Sequence, residues 1–127
     1  MPLVRITLAA GKTEDAQRRV GEAVHQALVG VANVPQDDLF QVIEVVAPAG
    51  LRVTPSYLGL SHTSAVAIVQ VFLNTGRTVE VKKALYAAIA DGVAAAAGLR
   101  REDVIVSLVE VAKENWSFGN GLMSYPP

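Results

Sequence analysis

The chain repeats itself. A shift of 65 residues lays Gly11-Lys12-Thr13 on Gly76-Arg77-Thr78 and Val20, Val24 and Leu28 on Leu85, Ile89 and Val93. The same shift lays Asn33-Val34 on Gly98-Leu99 and Asp37-Asp38 on Glu102-Asp103. Self-similarity at a fixed period marks one supersecondary unit used twice, which restricts the fold more than any composition does. Each copy, about 1–64 and 65–127, reads strand, turn, helix, short connection, strand.

The punctuation agrees with that reading. Thr13 and Thr78 are N-cap residues followed by acids in the first turn, Glu14 and Asp15 in one copy and Glu80 in the other. Asn33 and Gly98 tolerate the left-handed conformation that closes a helix, and each precedes an apolar residue able to pack back. Ala16, Val20, Ala23, Val24, Ala27, Leu28 and Val31 form an apolar stripe at helical spacing, as do Val81, Leu85, Ala88, Ile89, Gly92, Val93 and Ala96. His25 lies off the first stripe, near Arg18 and Glu22, and is expected on the surface. Alternating or apolar runs place strands at about Leu3 to Leu8, Leu39 to Ala47, Ala65 to Leu73 and Val104 to Val111.

The expected fold is therefore α/β (α+β), a single domain of tandem βαβ units forming a four-stranded mixed sheet. Right-handed crossovers put both helices on one face. The other face is then an uncovered, largely apolar surface, and a second subunit is expected to cover it.

Composition narrows the function. The 127 residues are 51% hydrophobic with a net charge of −1, and Lys and Arg are scattered, so neither nucleic acid nor a membrane surface is an expected partner. Without cysteine there is no thiol nucleophile or disulfide, and His25 and His62 are too far apart in sequence to suggest a metal site. No signal-like segment or long apolar run is present, and a soluble, cytoplasmic protein is expected.

One dipeptide supplies chemistry. Aminopeptidases remove Met1 when the next side chain is small, and Pro2 would then carry a free secondary amine on a rigid ring at the start of the first strand. If the two units join through antiparallel first strands, three further segments reach the same edge. They are the turn holding Asp38, the end of the third strand with Asn74 and Arg77, and the tail that begins Lys113-Glu114-Asn115-Trp116. Arg77, beside a helix N-terminus, suits a carboxylate clamp. Each group also has a plainer role: Arg77 in a surface ion pair, Asp38 in a turn, Trp116 and Phe118 in packing. The pseudo-equivalent of Pro2 is Ala67, inside the chain, so only one such site per subunit is expected.

The Met-Pro start, the Gly-Arg-Thr opening of the second helix, the segment Val34 to Val42 and the tail Glu114 to Gly121 resemble the tautomerase superfamily. They are similar in particular to the branch that includes malonate semialdehyde decarboxylase. The resemblance implies a homotrimer that uses Pro2 as its acid/base, with Asp38 matching the decarboxylase aspartate and Trp116 and Phe118 its pocket aromatics. Where the decarboxylase has two arginines, this chain has Asn74 and Gly76, with Arg77 one place on, and Leu39 stands where relatives often have arginine. The expected activity is cofactor-independent keto-enol tautomerisation of small 2-oxo acids. The alternatives are decarboxylase or hydratase action on a 3-carbon oxo acid, or a non-enzymatic trimeric interaction protein.

Overall fold

A computed structural model describes residues 1–125; the last two prolines of the tail, Pro126 and Pro127, lie outside the described residues. Strand β1 (Pro2–Leu8) leads through helix α1 (Glu14–Val31) to β2 (Gln41–Val45). A short hairpin follows, β3 (Ser56–Tyr57) and β4 (Leu60–Ser61). The second unit is β5 (Ala67–Asn74), α2 (Val79–Ala97) and β6 (Val104–Val111). The main sheet has the order β2-β1-β5-β6, with β1 parallel to β2, β5 parallel to β6, and β1 antiparallel to β5 at the junction.

Local chemistry accounts for the elements. The Thr13 and Thr78 hydroxyls accept from the backbone N–H groups of Ala16 and Val81, satisfying donors that the helix cannot. Asn33 (φ 58°) and Gly98 (φ 67°) are left-handed. The N–H of Val34 then returns to the Leu28 carbonyl and that of Leu99 to the Ala94 carbonyl, closing both helices alike.

Alternation puts Val4, Ile6 and Leu8 of β1 and Ala67, Val69, Val71 and Leu73 of β5 beneath the helices. Leu28, Leu85 and Ile89 close the core from above, each at most 1% exposed. Burying such a side chain contributes about 1.5–3 kcal/mol. The helices also touch directly, since a Cβ added at Gly92 would meet the Ala23 Cβ at 3.1 Å. The opposite sheet face is mixed rather than continuously apolar: Leu3, Ile68, Phe72 and Val109 share it with Arg5, Thr7, Gln70 and Ser107.

Three sequence expectations change. The second strand is shorter than Leu39 to Ala47, pairing only over Gln41–Val45, although Phe40 still accepts the Val4 N–H at 2.9 Å. The β3–β4 hairpin was not foreseen; its two-residue turn, Leu58-Gly59, has φ 49° and 79°, which is costly for leucine. His25 is not a surface residue: it is 3% exposed, and its Nε2 donates to the Gln36 carbonyl at 2.7 Å. Gly21 stands one turn earlier on the same helix side. A Cβ there would lie 2.6 Å from Gln41 Oε1 and 2.8 Å from Ile43 Cδ1, so glycine lets this second stripe approach β2 and the preceding loop.

Candidate active site

Strand directions bring four distant segments to one rim. In the antiparallel register Pro2 faces Leu73, and in the parallel register Asn74 faces Val111, so β1 starts where β5 and β6 finish. The parallel pairing of Val4 with Gln41 starts β2 at that edge as well. Pro2, Asp38, Asn74, Arg77 and the tail from Lys113 are therefore neighbours.

Pro2 is buried as the first residue of β1, and its nitrogen lies in the peptide bond with Met1. The α-amine is thus that of Met1, one residue further out than the amine Pro2 would bear with Met1 removed. It forms an ion pair with the Asp38 carboxylate, whose side chain is 21% exposed. Burial lowers the amine's pKa below the usual α-amino value, and the nearby positive charge of Arg77 lowers it further.

Asp38 sits in a turn whose N–H donates to the Pro35 carbonyl at 3.0 Å. Its copy, Asp103, does related structural work at the far edge. That carboxylate accepts from the Thr63 N–H (2.8 Å) and hydroxyl (2.6 Å) and from Arg100 Nε (3.4 Å), gripping the segment that enters β5. Each aspartate holds the chain leading into its unit's first strand; only in the first copy is the group held an amine.

Arg77 follows Gly76, whose φ of 136° turns the chain out of β5. Its Nη1 donates to the Asn74 carbonyl at 3.2 Å and its Nη2 to the Ala32 carbonyl at 3.0 Å. The guanidinium thus bridges the end of β5 and the C-cap carbonyl of α1, where a cation is favoured. Lys12 repeats this in the other copy, its Nζ donating to the Ala97 carbonyl at 3.0 Å. The contact with the neighbouring helix end belongs to the doubled architecture. Arg77 therefore holds main-chain carbonyls rather than standing wholly free as the clamp expected from sequence. Arg77 also lines a cleft of about 460 Å³ together with Asn33, Thr75, Thr78 and Lys113.

The tail makes an aromatic wall. Trp116 Nε1 donates to Asn74 Oδ1 at 2.7 Å, which fixes both side chains. Trp116 stacks on Phe118 (centroids 5.1 Å, planes 15° apart), Phe118 leans on Phe40 at 5.1 Å, and Tyr125 meets it edge-on at 6.2 Å. The turn through Gly119 to Gly121 folds the tail back, so that the Ser124 N–H reaches the Trp116 carbonyl and the Phe118 N–H reaches Ser124 Oγ. Phe40 and Tyr125 are members that sequence reasoning did not single out. The signal for Phe40 was its place two residues after Asp38, on the segment already expected at this rim.

Among the described residues no group of three or more His, Asp or Glu side chains could hold a metal ion, and none of the helices is long and apolar enough to cross a membrane. A larger cleft of about 730 Å³ is lined by residues between Leu51 and Val66 and includes none of Pro2, Asp38, Asn74, Arg77 or Trp116.

Two βαβ units joined through antiparallel first strands, with the start of the chain set among a carboxylate, a guanidinium and an aromatic wall, define a class of small doubled βαβ proteins. Residues 38–119 match the family model described as "Tautomerase enzyme", and residues 2–60 match a second model of the same description. The chain belongs to the tautomerase family. It is 38% identical over 121 residues to "Probable tautomerase YusQ" of Bacillus subtilis (strain 168), covering 95% of each protein. Among solved structures it is similar to a malonate semialdehyde decarboxylase inhibited by 3-bromopropiolate, with TM-score 0.88 and 35% identity over 97% of this chain and 93% of that one. It also matches a fused 4-OT symmetric trimer, with TM-score 0.79 and 30% identity over 94% of each chain.

Proposed function

We propose that the protein is a cofactor-independent tautomerase of small 2-oxo acids, with Pro2 as its acid/base once Met1 is removed. The observation that carries this reading is the α-amine of Met1, immediately ahead of β1, paired with Asp38 and lowered in pKa by burial and Arg77. Removal of Met1 moves the amine about 3.8 Å inward, onto the buried first residue of the strand. A neutral ring nitrogen takes the enol hydroxyl proton, the enol collapses to the ketone, and the resulting ammonium returns a proton to carbon. The substrate's carboxylate lies toward Arg77 and the first turn of α2, whose N–H groups favour an anion. The Trp116–Phe118 wall packs against its apolar part.

A second reading has a specific observation behind it, the similarity to malonate semialdehyde decarboxylase together with Asp38 at the amine. A nitrogen held protonated there would polarise a 3-oxo acid's carbonyl and favour loss of carbon dioxide. The absence of arginine at positions 74 and 76 favours the first. For assembly we propose a homotrimer that covers Leu3, Ile68, Phe72 and Val109. The likeness to the fused 4-OT trimer supports it, and size-exclusion chromatography with light scattering tests it.

The function is tested with protein whose intact mass shows Met1 removed. Phenylenolpyruvate ketonisation and malonate semialdehyde decarboxylation are measured for wild type and Pro2→Ala. Loss of ketonisation in the variant supports the proposal. Retention of both activities in the variant would overturn the catalytic role of Pro2, and absence of both from the wild type would leave a non-enzymatic trimeric protein.

A further inference from the structure

We infer that His25 is a positioning residue for this site: through the Gln36 carbonyl it fixes the turn that carries Asp38 against the chain's terminal amine. The inference rests on reading the rim as the active site. The loop between α1 and β2 is tied at its start by the Val34 N–H to the Leu28 carbonyl and at its end by the Phe40 carbonyl to the Val4 N–H. Between them the turn closed by Asp38 and Pro35 has to be located by side chains. His25 Nε2 does so at 2.7 Å from a ring only 3% exposed, whereas Gln26, the other tether, reaches Gln36 Oε1 at 3.4 Å from an exposed position. A short bond from an immobile ring sets a position; a long one from a solvated amide does not.

The internal repeat supplies the control. At the place of His25 the second unit has Ala90, and its own aspartate, Asp103, is held directly by Thr63 and Arg100. The same strand-helix-strand unit therefore forms without the histidine. The first unit needs an external tether because Asp38 turns its carboxylate to the amine. Since a carbonyl only accepts, Nε2 carries the proton of this bond.

The test compares His25→Leu, which removes the donor, with His25→Gln, whose amide keeps one at similar reach. Two quantities are read: kcat and KM for ketonisation, and the pKa of the terminal amine from a ¹⁵N titration, the charged groups facing it being Asp38 and Arg77. His25→Leu is expected to lose about tenfold or more in kcat with little change in KM, as a small misplacement of a catalytic group does. Its amine pKa falls, because the stabilising carboxylate has moved away, and His25→Gln restores both values toward wild type. A folded His25→Leu with unchanged amine pKa and kcat, or a His25→Gln that behaves like it, would overturn the inference. Should the leucine variant not fold, His25→Asn, too short to span the contact, is read against the same outcomes. The amine titration needs no turnover, so a fully active Pro2→Ala would sink the catalytic reading while leaving this arm interpretable.

Discussion

Replacing Arg77 by methionine separates the two things its guanidinium does. The side chain keeps its length and loses the donors to Ala32 and Asn74. Ala32 is 3% exposed, so its carbonyl is left without a donor where water reaches poorly, at a cost of about 1–2 kcal/mol; the Asn74 carbonyl at the rim is rehydrated for roughly 0.5 kcal/mol. Loss of the cation from the end of α1 adds about 0.3–1 kcal/mol. The sum is about 2–3.5 kcal/mol, roughly 6–17 °C in Tm for a chain of this length. The internal control is Lys12→Met, which loses a single bond, to the half-buried Ala97, and should cost about 1 kcal/mol. Differential scanning calorimetry measures both. The amine distinguishes the variants further: without the Arg77 charge its pKa rises in Arg77→Met, while Lys12→Met leaves it alone. Equal melting losses in the two variants, or an amine pKa that does not rise in Arg77→Met, would refute the reasoning.

The lowered amine pKa has its own pH signature. Folding disfavours the protonated Met1 amine, so the unfolded chain binds more protons between the folded pKa and 8.0, and stability of the chain that keeps Met1 should rise with pH across that window; urea melts in a pH series would show the slope. At Asp103, burial raises the carboxyl's pKa, but bonds from the Thr63 hydroxyl, the Thr63 N–H and Arg100 outweigh it and hold the value below the ordinary 3.8. Its contribution is full above pH 3.8 and is lost as pH falls through the folded value. Asp103→Ala, which strands the Thr63 donors, should cost about 2–4 kcal/mol by chemical denaturation and flatten that acid limb. Gly21→Ala should destabilise by about 1–3 kcal/mol in the same assay, since the new methyl meets Gln41 Oε1 at 2.6 Å; an increase in stability would mean that Gln41 moves aside freely.

Much of the architecture was legible because it is periodic. The repeat, the two threonine caps, the left-handed Asn33 and Gly98, and the strand alternation are all local patterns whose energetics act within a turn or a pleat. The rim was legible on one condition, that the two units join through antiparallel first strands, which carries Pro2, Asp38, Asn74, Arg77 and Trp116 to one edge. What escaped were contacts made sideways. His25 looked solvent-facing beside Arg18 and Glu22 because Gly21 gives no apolar signal, yet that glycine allows the loop onto this side of α1. Arg77 read as a carboxylate clamp or a surface ion pair, although its partner, the Ala32 carbonyl, is 45 residues away in sequence.

The amino-acid order by itself thus determined a doubled βαβ sheet and the set of groups that meet at its edge. Helical and pleated periods, capping and strand polarity are properties of neighbouring residues, and they add up to topology without knowledge of packing. The tertiary structure decided which nitrogen each carboxylate holds, which carbonyls occupy Arg77, and that a histidine off the apolar stripe is buried. Those outcomes depend on distances of a few ångströms between segments far apart in the chain, which only the packing of α1 against the β2 edge and of the tail against Asn74 establishes.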